Sequence, residues 1–201
     1  MTNKRKALMT VLAAMLLVTM SVFGTLAYLT STDAVTNTFT VGNVAITLDE
    51  ADVDNSKTNV TTEGRDKANA YHLLPGHVFA KDPTVHVEAN SENSWVFVKV
   101  ENGIADYEAV TDKGNIAAQI SANGWTPLDG VDGVYYKEYT KQATVKDYVV
   151  FEKFKIDDNA QAVEGWSDIA SKTIKVTAYA VQKDDVVDIA AEAWNIVKDK
   201  A

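Results

Sequence analysis

The chain has 201 residues, no cysteine and a formal net charge of −9 at pH 7. Without cysteine it can form no disulfide and no thiolate metal site, so its stability has to come from a packed core. A protein of this net charge repels phosphate backbones and anionic lipid, which argues against nucleic acid and membrane surfaces as partners.

The N-terminal part has the pattern of a secretory signal peptide, which we assign to residues 1–27. Residues 4–6 are all basic, and residues 7–24 carry no charge. The uncharged stretch is slightly short for a membrane-spanning helix, which needs about 20 apolar residues. Small side chains at the −3 and −1 positions predict cleavage between Ala27 and Tyr28. An uncleaved N-terminal anchor is the alternative.

Residues 28–201 are expected to form a single domain, and its first third has β-type patterning. Apolar residues alternate with polar ones over 39–48, apart from a slip near residue 42 that predicts a β-bulge. Residues 50–69 are polar, with almost nothing to bury, which predicts a loop. Pro75-Gly76 then predicts a turn into the next strands.

The rest of the domain continues this pattern of short strands. Around residues 95–100, Trp95 and Phe97 fall on one face of a predicted strand and three valines on the other. The other predicted elements here are a strand around 85–87, a short helix at 115–122, and strands at 134–139, 149–156 and 173–182. Apolar residues at helical spacing after 185 predict a C-terminal amphipathic helix that begins with Asp184 or Asp185 as its cap. We therefore predict a mainly β fold, a jelly-roll-like antiparallel β-sandwich with a few short helices.

The junction after the signal peptide resembles a known family. Residues 24–30 read Gly-Thr-Leu-Ala-Tyr-Leu-Thr, and residues 37–44 read Asn-Thr-Phe-Thr-Val-Gly-Asn-Val. Both blocks resemble the N-terminus of the TasA–camelysin family, whose signal peptides are removed by a dedicated SipW-like signal peptidase. Leu74-Pro75-Gly76 and the stretch 173–194 resemble later blocks of that family. Residues 101–170 match it only in general character.

The resemblance implies a protein secreted to the cell surface or the biofilm matrix of a Gram-positive-type bacterium, with no membrane attachment after cleavage. Family fibres are thought to assemble by strand donation, in which the freed N-terminal segment of one subunit completes the sheet of the next. Here the donor strand would be residues 28–38, and Tyr28, Leu29, Val35 and Phe39 would be its anchoring side chains. The partners would be further copies or related matrix subunits, and the signal peptidase during export. Pairing of the same segment with its own sheet is the alternative.

The three histidines, His72, His77 and His86, raise the question of a zinc site, because camelysin-type members have been described as metallopeptidases. A zincin motif places two histidines one helical turn apart, with a catalytic glutamate between them. His72 and His77 are instead separated by Leu-Leu-Pro-Gly, which breaks a helix, so we expect no metal cofactor. Acidic residues within 49–55 and 157–159 have the oxygens that Ca²⁺ prefers, but solvated loops are the favoured interpretation.

Signatures of other active sites are missing from the sequence. No serine lies in a Gly-x-Ser-x-Gly elbow, and neither a phosphate-binding nor a dinucleotide-binding glycine motif is present. The four tryptophans fall in different predicted elements, which fits a core better than a ligand platform. We therefore expect a non-catalytic structural protein. A camelysin-like surface metallopeptidase and a monomeric surface adhesin are the alternatives.

Overall fold

The computed structural model divides the chain into two units, Met1–Thr40 and Val41–Ala201. In the first unit the described residues are 3–5, 9 and 11–15, and all of them are helical. In the second unit the described residues are 43–54, 60–110, 115–184 and 189–200. Within these ranges, no helix has the length and apolar character needed to cross a membrane.

The second unit consists mainly of short strands. The described strands are β1 (Ile46–Asp54), β2 (Val60–Asp66), β3 (Val78–Ala80), β4 (Thr84–Val87), β5 (Ser94–Asn102), β6 (Thr126–Pro127), β7 (Val134–Tyr139), β8 (Lys146–Val149), β9 (Lys153–Lys155) and β10 (Ile174–Gln182). The described α-helices of this unit are α1 (Ile116–Ala122) and α2 (Ala190–Val197). Short 3₁₀ turns occupy Ala105–Tyr107, Ala160–Ala162, Trp166–Ser171 and Lys198–Lys200.

The strands form two four-stranded sheets and one two-stranded sheet. The first sheet has the order β2-β1-β4-β8, the second has the order β10-β5-β7-β6, and β3 pairs with β9. Every pairing between these strands is antiparallel. The prediction of a mainly β, antiparallel sandwich with a few short helices is confirmed.

Two hydrophobic clusters hold the sandwich together, and β5 contributes to both. Its valines Val96, Val98 and Val100 pack toward β4, where Val85 and Val87 are completely buried. On the opposite face of β5, Trp95 and Phe97 pack against helix α2, whose Ala193 and Trp194 are buried. The predicted division of the residues of this strand between two faces is therefore confirmed, and both faces are covered.

The chain after β1 departs from the sequence prediction. Residues 50–69 were expected to be a loop, but β1 continues to Asp54 and pairs with β2 as an antiparallel hairpin. This hairpin is held by main-chain bonds and by charged side chains such as Arg65, so the small number of apolar residues did not prevent a strand. The register of this pairing shifts between Ala51 and Val53. Residue 42, where a bulge was predicted, is outside the described ranges.

Two further boundaries differ from the prediction. The strand expected at 149–156 is two strands, β8 and β9, separated by the fully buried Val150 and Phe151. Helix α2 begins at Ala190 with Ile189 at its N-cap, and no side chain caps it. Capping by Asp184 or Asp185 is therefore wrong, because the helix begins several residues later. Helix α1 agrees with the prediction, with Asn115 as its cap: the Ala118 N–H donates to its side-chain oxygen at 3.2 Å.

Candidate functional site

An open groove with a volume of about 1080 Å³ lies between the first half of β1 and strand β10. These two strands belong to different sheets and lie beside each other without pairing. The segment 67–73 and the turn that precedes β10 complete the walls of the groove.

Among the described residues, no strand pairs with the groove side of Ile46 and Leu48, so the β1 wall of the groove is an open strand edge in this part of the chain. β1 pairs with β4 through Ile46↔Val87 to Asp49↔Thr84, and the Glu88 N–H donates to the Ala45 carbonyl at 2.9 Å. In an antiparallel ladder the main-chain groups of alternate residues face the same neighbour. Residues 45, 47 and 49 therefore bond to β4, while the N–H and C=O groups of Ile46 and Leu48 face the groove.

The β10 wall is a second open edge. β10 pairs with β5 along its whole length, and the Gly103 N–H donates to the Thr173 carbonyl at 2.9 Å. The odd-numbered residues of β10 therefore bond to β5, and the main-chain groups of Ile174, Val176 and Ala178 face the groove. Among the described residues, no strand pairs with this edge of β10. Two rows of main-chain donors and acceptors thus line one groove.

The floor between these edges is apolar. Ile46 and Leu48 of β1, and Ile174, Val176 and Ala178 of β10, are half-buried and pack against the main core from the side of the groove. Phe154, which is almost fully buried, also lines the groove. An extended segment placed here would find hydrogen-bonding groups on both sides and an apolar surface beneath it.

A buried ion pair lies in the wall of the groove. The Lys81 ammonium contacts the Glu50 carboxylate, and the side chains are only 9% and 6% exposed. Glu50 also accepts a hydrogen bond from the Asn69 amide at 2.9 Å. Tyr71 lies close by and donates its hydroxyl to the Ala80 carbonyl at 3.0 Å. Burial raises the pKa of Tyr71, and the charge of Glu50 raises it further, so this hydroxyl stays protonated.

A row of charged side chains crosses the outer face of the first sheet, next to the β1 edge of the groove. We call this row the charge ladder; its members are Arg65, Asp49, His86 and Asp147. These residues lie on β2, β1, β4 and β8, which is the order of the strands in the sheet. Arg65 bonds to Asp49, His86 Nε2 lies 2.9 Å from Asp49 Oδ1, and His86 Nδ1 lies 2.6 Å from Asp147 Oδ1. Because both ring nitrogens face carboxylates, the ladder is complete when His86 is protonated.

The ladder shifts the pKa values of its members. Partial burial lowers the pKa of His86, but the hydrogen bonds to Asp49 and Asp147 and their charges raise it by more, and the net shift is upward. For Asp49, partial burial raises the pKa, but Arg65 and His86 together lower it below the ordinary value. The ladder thus ties the groove-bearing strand β1 to both of its neighbours.

The structure separates the three histidines into different surroundings. His72 is exposed and lines the groove, His77 Nδ1 lies 3.0 Å from the Pro75 carbonyl, and His86 belongs to the charge ladder. Throughout the described ranges, no group of three or more His, Cys, Asp or Glu residues is placed to hold a metal ion. In the acidic stretches, Asp49 and Glu50 are ion-paired, and the Asp157 carboxylate accepts the Asn159 N–H at 2.8 Å.

The sequence-predicted cleavage and donor residues lie outside the described part of the chain: Ala27, Tyr28, Leu29, Val35 and Phe39. The groove itself was not predicted. Its floor was visible as the alternation of Ile174, Val176 and Ala178, but the opening depends on which strands pair. To predict the groove, one would need to know that β10 pairs with β5 on one side only. One would also need to know that the first half of β1 pairs with β4 on one side only.

Comparison of the chain with protein-family models, curated proteins and solved structures gives no match.

Proposed function

We propose that this chain is an exported structural protein of the cell surface or biofilm matrix, and that it forms fibres by β-strand donation. In this proposal the segment Tyr28–Thr38 of one copy occupies the groove of the next. The observation that carries it is the groove itself, in which the open edges of β1 and β10 lie beside each other over an apolar floor.

The energetic argument starts from the main chain. A strand in the groove would bond to Ile46 and Leu48 on one side and to Ile174, Val176 and Ala178 on the other. Main-chain bonds give such a complex its affinity, and alternate side chains that enter the floor give it register. In the donor segment, Leu29 and Val35 fall on one face because they are an even number of residues apart. The donor therefore offers two apolar side chains, Leu29 and Val35, on the face that would meet the floor.

In this proposal, export determines when the protein can assemble. Before cleavage between Ala27 and Tyr28, the donor segment is attached to the signal peptide and is held at the membrane. Removal of the signal peptide frees the donor, so that fibres form outside the cell. The resemblance of residues 24–30 and 37–44 to the TasA–camelysin family supports the same proposal, in which the chain has no catalytic role.

Electron microscopy and size-exclusion chromatography of purified protein that begins at Tyr28 test the proposal. We expect filaments from this protein and monomers from a version that lacks residues 28–38. A matched pair of variants tests the face of the donor: Leu29→Asp with Val35→Asp should abolish filaments, whereas Thr30→Asp with Thr36→Asp should not, because these threonines alternate with the apolar residues. Both pairs add the same charge.

Three results would refute strand donation between copies. The protein that begins at Tyr28 could stay monomeric at all salt concentrations and pH values, which would favour the segment pairing with its own sheet. The version without residues 28–38 could form the same filaments, which would place the contact elsewhere. The two pairs of aspartate variants could behave alike, which would show that charge rather than the apolar face decides assembly.

A further inference from the structure

The groove is bordered by positive charge on an acidic protein. Four lysines and two acidic residues line it. Lys81 is paired with Glu50, Asp49 is paired with Arg65, and Lys175 lies 3.4 Å from Glu101. Lys67 and Lys172 are exposed, and neither ammonium forms an ion pair with any described residue. These two lysines, the groove lysines, leave the groove positive on a chain with a net charge of −9.

The proposed donor carries one charge of the opposite sign. Between Ala7 and Leu48 the sequence has a single charged side chain, Asp33, which lies in the middle of the donor segment. Alternation places Asp33 on the same face as Leu29 and Val35, so a donor that buries these apolar side chains also directs Asp33 into the groove. A carboxylate that leaves water without a partner is costly, and an opposite charge at close range removes most of that cost.

We propose that the groove lysines Lys67 and Lys172 receive Asp33 of the incoming strand, and that this pairing selects the strand and fixes its register. The proposal rests on the proposed function, since it assigns the partner of the same groove. A register shift that keeps the same face inward moves Asp33 by two residues, or about 7 Å, which is more than the distance of about 4 Å over which an ion pair forms. One ion pair thus selects one register among several that the apolar side chains alone would allow.

Charge reversal tests the pairing in protein that begins at Tyr28, with the concentration needed for filament formation as the readout. We expect Asp33→Lys and the pair Lys67→Glu with Lys172→Glu each to raise this concentration about tenfold or more. Combination of all three substitutions should return it to within about threefold of the original protein, because the charges are again opposite. The combined variant also controls for a general loss of stability. Only a restored contact between positions 33, 67 and 172 would lower the concentration needed for filament formation below that of the less substituted variants.

The matched control is Lys153→Glu with Lys198→Glu, two exposed lysines outside the groove whose replacement changes the net charge equally. This control should leave the concentration unchanged, and circular dichroism should show the same fold for all variants. Normal assembly of Asp33→Lys would overturn the pairing, as would failure of the combined variant to improve on Asp33→Lys alone. Loss of filaments on deletion of 28–38, together with normal assembly of Asp33→Lys, would refute the pairing and leave strand donation standing. Filaments from the deletion variant would refute both.

Discussion

At the scale of single residues, the ion pair of Lys81 and Glu50 is a buried polar contact. Both side chains are more than nine-tenths buried, and the Asn69 amide donates to the second oxygen of Glu50. Two charges withdrawn from water are stabilised mainly by each other. The pair also lies in the wall of the groove, so its loss would disturb the end of β1 that forms the open edge.

We expect Lys81→Met to lower the free energy of unfolding by about 3 kcal/mol, because it leaves the Glu50 charge buried without its partner. Urea denaturation measures the loss. The double variant Lys81→Met with Glu50→Gln should recover most of it, since no buried charge remains and the glutamine can still accept from Asn69. The exposed Lys153→Met is the control and should cost little. Equal losses in the single and double variants would contradict this account.

Residue contacts of this kind were only partly predictable. The four tryptophans were expected in the core, and Trp95, Trp125 and Trp194 are buried there while Trp166 packs against it. The surroundings of His86 were not predicted, because Asp147 lies 61 positions away in the sequence. Alternation indicates which face of a strand a side chain occupies, but not which strands lie on either side.

At the scale of elements, the charge ladder explains how a polar hairpin stays in the first sheet. Arg65 joins β2 to β1 through Asp49, and it also contacts Asp82 at 3.0 Å. His86 then joins β1 to β4 and β8 through its two ring nitrogens. Cross-strand charge pairs stabilise a sheet where apolar pairs are lacking.

The ladder predicts that stability depends on pH through His86. The folded protein raises the pKa of His86, so the folded state binds the proton more tightly than the unfolded chain does. This stabilisation is present below about pH 6.5 and is lost as the pH rises through the raised pKa. We expect His86→Gln to cost about 1 kcal/mol at pH 5, since Asp147 is well exposed and screened, and less at pH 9.

Urea denaturation of the original protein and of His86→Gln at pH 5 and pH 9 measures this difference. His72→Gln, an exposed histidine outside the ladder, serves as the control and should cost little. A cost of His86→Gln that does not change between pH 5 and pH 9 would mean that His86 contributes through packing rather than through its charge.

The same elements show where sequence reasoning succeeds and where it fails. β7 and helix α1 were placed within a residue of their bounds, because each was predicted from residues that are neighbours in the sequence. The β1–β2 hairpin was taken for a loop, since burial was the only signal considered and this hairpin lies at the edge of the sheet. The predicted start of helix α2 was too early, because apolar residues continue at helical spacing before Ala190.

At the scale of the whole molecule, the chain combines a net charge of −9 with a nearly uncharged N-terminal stretch and, among the described residues, an open groove. Copies with a net charge of −9 repel each other, which favours solubility as monomers. The stretch from Ala7 to Leu48 carries only Asp33, so it can approach another copy with little repulsion. An exposed strand edge is ordinarily protected against association, and β10 instead offers Ile174, Val176 and Ala178 along its open side.

A single proline can distinguish the role of the β10 edge that faces the groove from the role of the edge that pairs with β5. The N–H of Ala178 faces the groove, so Ala178→Pro removes a donor that the monomer does not use within β10–β5 pairing. We expect this variant to lose filament formation while the free energy of unfolding changes by less than about 1 kcal/mol. Thr177→Pro is the matched control, because the Thr177 N–H faces Lys99 of β5. It should destabilise the monomer by about 3 kcal/mol or more.

Urea denaturation and electron microscopy of the two proline variants therefore give opposite patterns if the groove is the assembly surface. Ala178→Pro should give a stable protein that does not assemble, and addition of the original protein should not recruit it as an acceptor of donor strands. Filaments of normal length from Ala178→Pro would show that the open edge of β10 takes no part in assembly. A loss of stability as large as that of Thr177→Pro would show that the Ala178 N–H is bonded within the monomer, and that the groove is already closed by the chain's own backbone.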